Sequence, residues 1–183
     1  NALSRVEEVG GVADDLEGRI FELNIPMSDE EVAKMAKAMG LSDISKAEYI
    51  TMESTIPWIS DFNFSNMKDF EKFNDVARLY TEMSPEQKAI FKAAVVVEGE
   101  HNNTPNADRL LDIATHIDEY EFDNSIRTHK DYMLKYLSMH MDSKMDLDMF
   151  EDMDAYRPAR NIMGELGCYI STYGLISKQG GTL

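Results

Sequence analysis

A single cysteine, Cys168, leaves the chain no internal disulfide and fits a reducing compartment. No apolar run approaches the roughly 20 residues that a membrane helix needs. Glu7, Glu8, Asp14 and Asp15 fall where a signal peptide would place its apolar core, so a cytoplasmic protein is expected. The four histidines, His101, His116, His129 and His140, lack the HExxH spacing, and no CxxC occurs. Neither a metal centre nor a cofactor is therefore expected. GxGxxG, P-loop and GxSxG signatures are missing too, which removes the plainest routes to nucleotide binding and acyl transfer. The scarcest commodity is positive charge. Eighteen Lys and Arg face 34 Asp and Glu, for a net charge of −16 and a pI near 4.5.

What remains is a foldable, strongly acidic chain. Its 183 residues are 43% hydrophobic, enough for one compact unit or a few small ones. Residues 1–97 hold 18 acidic and 10 basic side chains and residues 98–183 hold 16 and 8, so each part carries −8. A charge spread so evenly repels nucleic acid and anionic membranes and attracts basic partners. Solubility alone is the plainest alternative account of it. The chain opens Asn1-Ala2 without a Met, as a cleaved tag would leave it, and a longer natural chain is expected.

Periodicity organises the rest. Residues 1–16 read as a lead-in, a short helix or a disordered arm. Arg19 to Ile25 alternates like a half-buried strand ending at Pro26. Ser28-Asp29-Glu30-Glu31 is a capping box for a helix with Val32, Met35, Ala36 and Met39 inward, stopped by Gly40. Ala47–Met52 and Ser54–Ile59 are strand candidates. Asn66 opens a helix striped by Met67, Phe70, Phe73, Ala77 and Tyr80. Ser84-Pro85-Glu86-Gln87 starts another, whose Ala89–Val97 run predicts burial on most sides. Glu98–Asn103 reads as a polar loop and Thr104-Pro105 as the next helix start, with Leu110, Leu111, Ala114 and Ile117 inward. A strand at Tyr120–Asp123, a helix opened by Thr128, a short helix at Tyr156–Met163 and a strand pair around Tyr173-Gly174 complete the chain.

The most acidic stretch is Asp142–Asp154, DSKMDLDMFEDMD. Its spacing fails the calcium-loop pattern: Glu151 stands where the turn glycine belongs, and no Glu closes the loop. Carboxylates three or four apart on a helix have Cβ atoms about 5–6 Å apart, while B-DNA offers a phosphate per about 3.4 Å on each strand. A folded acidic surface can therefore present a DNA-like charge pattern to a basic groove. Thirteen Met residues read as core filler, and Cys168 as a small buried hydrophobe.

The run GRIFELNIP (Gly18–Pro26), SDEEV (Ser28–Val32), Ala47–Glu53 and TIPWISDFNFSNMKDFEKFNDVARL (Thr55–Leu79, including Pro57-Trp58 and Phe73-Asn74) resembles the ArdA-type antirestriction proteins of plasmids and conjugative transposons. Asp152–Arg157 and CYISTYGLI (Cys168–Ile176) are similar to that family's closing segments, and the likeness spans about residues 17–178 in matching order. The resemblance implies an elongated α+β molecule: a small α+β domain (17–63), a helical bundle (64–117) and a second small α+β domain (118–183). It also implies a homodimer through the last part, no catalysis, and mimicry of B-form DNA in the groove of type I restriction–modification enzymes rather than direct binding of nucleic acid. The acidic surface would comprise Asp69, Glu71, Asp75, Glu82, Glu86, Asp108, Asp112, Asp118, Glu119, Glu121, Asp123, Asp131, Asp142, Asp146, Asp148, Glu151, Asp152 and Asp154. Lys46, Lys130, Lys135 and Arg157 depart from the family pattern and dilute the charge locally. The competing expectation is an acidic protein–protein interaction domain of a mobile-element protein, with its carboxylates scattered or paired to lysines. An enzyme is a distant third and requires a cleft with convergent polar groups.

Overall fold

The computed structural model describes residues 2–7, 20–41, 48–53, 67–102, 106–140 and 154–179. The fold is mixed α+β and rich in helix. Strands β1 (Ala2–Glu7), β2 (Ile20–Ile25) and β3 (Glu48–Glu53) form an antiparallel sheet in the order β2-β1-β3. Ala2 pairs with Ile25 and Glu7 with Ile20. The lead-in expected to be a helix or a disordered arm thus holds a central strand. Its sequence, ALSRVE, does not alternate cleanly, and its pairing partners lie far along the chain.

After β2, a cis Ile25–Pro26 bond leads to Met27 and helix α1 (Asp29–Ala38). The capping box forms as expected. Ser28 Oγ accepts from the Glu31 N–H at 3.3 Å, and Glu31 Oε2 accepts from the Ser28 N–H at 2.7 Å. Ala36 and Met39 are buried, and Gly40 ends the helix with φ 75°, where a side chain is strained. The Ser54–Ile59 strand candidate lies outside the described residues.

Helix α2 (Met67–Glu82) is followed after two residues by α3 (Pro85–Asn102). The Ser84/Gln87 box closes in both directions, at 2.9 and 3.1 Å. In α3, Phe91, Ala93, Ala94, Val95 and Val97 are each at most 1% exposed, which makes this helix the axis of the main core. Around it pack Ile25 and Met27, Met39 of α1's end, Phe73 and Val76 of α2, Leu110 and Ile113 of helix α4 (Ala107–Thr115), and Tyr120 and Ile176 of the second sheet. That core draws residues from all three segments expected as separate domains.

The polar run after Val97 is not the expected loop, since α3 continues through it to Asn102. The expected helix start at Thr104-Pro105 lies outside the described residues; α4 is capped by Asn106, whose side chain accepts from the Arg109 N–H at 2.9 Å.

A 3₁₀ turn, Ile117–Glu119, leads into β4 (Tyr120–Asp123), which pairs with β6 (Gly174–Lys178); β6 pairs in turn with β5 (Cys168–Ser171), all antiparallel. Gly174 is required where it stands. Its φ is 151°, and a Cβ there would lie 2.6 Å from the Asp123 carbonyl oxygen. Helices α5 (His129–His140) and α6 (Tyr156–Leu166) build a smaller core from Tyr132, Met133, Ala159 and Met163, closed by Cys168 of β5. Pro158 is tolerated because it is the third residue of α6, where its N–H would have no intrahelical acceptor. Among the described residues, no helix is long and apolar enough to cross a membrane.

Candidate functional site

The acidic side chains fall into three kinds: those that close a helix, those held by a cation, and those that stand open. Helix closure takes Glu31, Asp131 and Asp154. Glu31 is held below the usual carboxylate range by the Ser28 backbone N–H and hydroxyl. Asp131 is lowered chiefly by the Thr128 hydroxyl, with help from the Arg127 and Thr128 N–H groups, as α5 starts on a box of the same design. Asp154 accepts from the Tyr156 N–H at 3.2 Å.

Ion pairs take five of the predicted surface carboxylates. Lys72 of α2 reaches Asp108 of α4 at 2.6 Å, and Arg78 lies 3.5 Å from Asp75. Asp112 binds both Arg109 and the His116 ring, the latter at 3.0 Å. Lys178 lies 3.7 Å from Glu119, and Lys135 binds Asp123. Exposed pairs of this kind contribute at most about 1 kcal/mol each, so their main effect is to lower the local field.

Glu71, Glu82, Glu86, Asp118 and Glu121 stand exposed. Gln87 donates to Asp118 at 2.8 Å, which joins the start of α3 to the 3₁₀ turn and brings the neighbourhoods of Glu86 and Asp118 together. Glu121 accepts a long bond of 3.4 Å from Gln179. Asp69 lies in α2. Asp142, Asp146, Asp148, Glu151 and Asp152 lie outside the described residues.

Asp123 carries the deepest carboxylate shift. The Lys135 ammonium, then the Ser125 hydroxyl and N–H, lower it to about 2 against the burial that opposes them. A carboxylate lowered in the fold stabilises it fully above the unfolded value near 4, and that contribution is lost as pH falls toward 2. Asp123→Asn should therefore flatten the stability curve between about pH 4 and pH 2. Thermal unfolding at stepped pH measures this, and an unchanged acid limb would assign the loss to other carboxylates.

Sequence reasoning missed one buried cluster. Glu98, only 5% exposed, accepts from Arg109 Nη2 at 2.8 Å, and that bond raises the guanidinium further above its usual value. The signal was present in part: an acid closing the apolar run of α3, with an arginine eleven residues on. Beside the cluster, burial raises the Tyr120 hydroxyl to about 12, and its oxygen has no hydrogen-bond partner. Tyr120→Phe removes a hydroxyl that makes no bond, so unfolding should shift by less than about 1 kcal/mol, with stabilisation the favoured sign. A loss beyond about 2 kcal/mol, the cost of breaking a real buried bond, would count against this geometry.

The remaining chemistry is sparse. Burial raises the Cys168 thiol, which makes it a weak nucleophile, and its Sγ lies 3.7 Å from the Met163 carbonyl. His116 ends α4 and His129 begins α5, as their sequence positions suggest. A shallow groove of about 380 Å³ lies between Asn24, Met27 and the Glu31–Ala38 face of α1, with Met27 and Met35 in its wall. Among the described residues, no cluster of three or more His, Cys, Asp or Glu could hold a metal ion.

No protein-family model matches the chain, and no curated protein matches it.

Proposed function

We propose that this protein is an acidic, non-catalytic decoy that occupies the DNA-binding groove of a type I restriction–modification enzyme in the cytoplasm. The observation that carries the reading is the exposure of Glu71, Glu82, Glu86, Asp118 and Glu121 across successive elements of a chain with net charge −16. The resemblance of Gly18–Leu79 and Cys168–Ile176 to antirestriction proteins supplies the target class. The reading includes the homodimer that the resemblance implies and its elongated order of three segments, joined here through one shared core.

Magnitude supports the dimer. A duplex carries one charge per about 1.7 Å of axis, so sixteen charges equal roughly 27 Å, or about eight base pairs. One chain thus replaces less than a full turn of DNA, and a longer groove calls for two.

The test is DNA cleavage and methylation by a purified type I enzyme, with the protein titrated at about 50 and about 200 mM salt. Both activities should fall at low salt and recover at high salt. Unchanged activities at saturating protein and low salt would overturn the reading for that enzyme. The triple change Glu71→Gln, Glu82→Gln, Glu86→Gln should weaken inhibition about tenfold or more, equivalent to at least about 1.4 kcal/mol, without lowering the melting temperature.

A second reading has its own support. Asp75, Asp108, Asp112, Glu119 and Asp123 are all engaged by cations of the same chain, as expected of an acidic protein-interaction domain that does not imitate DNA. Under it, short duplex DNA would fail to compete with the protein for its partner.

A further inference from the structure

No further inference is drawn: the strongest candidate, the outward surface patch of α6 where Tyr156, Arg157 and Arg160 stand exposed around Gly164, carries nothing because nothing in the structure shows what covers it.

Discussion

Arg109→Met should lower the unfolding free energy by about 1–3 kcal/mol, the usual cost of removing a charge-assisted hydrogen bond from a buried carboxylate. Glu98 is 5% exposed at the point where α3 leaves the apolar core, and the Arg109 guanidinium meets it at 2.8 Å from the first turn of α4. The same guanidinium binds Asp112, so the loss also frees a partly exposed carboxylate, a minor term in water. Two further substitutions separate the contributions. Asp112→Asn leaves the buried bond in place and should cost less than about 1 kcal/mol. Glu98→Gln added to Arg109→Met removes the buried charge and should recover part of the loss. Urea midpoints at neutral pH measure all three. If Arg109→Met costs no more than Asp112→Asn, water reaches Glu98 and the pair is a surface feature.

That cluster shows where sequence reasoning stops. The boxes at Ser28–Glu31 and Ser84–Gln87 were legible because cap and partner lie three residues apart, and both form. The burial of α3 was legible because a helix apolar all round has no face to give to water. Glu98–Asn103 looked like a loop because an arginine that helps to hold the buried acid belongs to another helix. β1 was lost for the same reason. ALSRVE has little pattern of its own, and it is a strand because β2 and β3 flank it. Conversely, the sequence counts carboxylates faithfully but does not say which ones have cations beside them. Lys72 and Asp108 are 36 positions apart and meet only when α2 packs on α4.

This sorting changes what an acidic composition means for binding. The net charge already includes the compensating lysines and arginines, so the long-range attraction for a basic groove survives pairing. Close contact is different. A carboxylate held by Lys72 or Lys135 must give up that partner before a groove lysine can use it, whereas Glu71 and Glu86 stand exposed without an ion pair among the described residues. Decoy activity should therefore follow the exposed acids outside these ion pairs, and acid sensitivity of the fold should follow the paired ones. The triple glutamine variant and Asp123→Asn address these two properties separately.

Asn74→Ala should cost about 2–6 kcal/mol, on the basis of about 1–3 kcal/mol for each of the two buried backbone groups left unpaired. Asn74 is 5% exposed and sits in the Phe73-Asn74 step that the sequence had already drawn out by its resemblance. Its Oδ1 accepts from the Met27 N–H at 2.6 Å, and its Nδ2 donates to the Met27 carbonyl at 2.8 Å. Met27 lies just past the last β2 residue paired to β1, where the sheet no longer satisfies its backbone. One side chain of α2 therefore serves as a two-bond substitute for a neighbouring strand, and it ties the first sheet's exit to the main core.

Asn74→Asp sharpens the test. A carboxylate there keeps an acceptor for the N–H but meets the Met27 carbonyl oxygen with a second acceptor, so burial and repulsion must raise its pKa above the ordinary value near 3.9. By linkage, a group raised in the fold retains its contribution at low pH and loses it as pH rises through the raised value. Asn74→Asp should therefore approach the wild type in acid and fall progressively behind it toward neutrality, while Asn74→Ala should lag by a nearly constant amount. Paired urea titrations at pH 4 and pH 7 measure the difference. If the two variants show the same gap at both values, the side chain at position 74 is solvated and does not hold Met27.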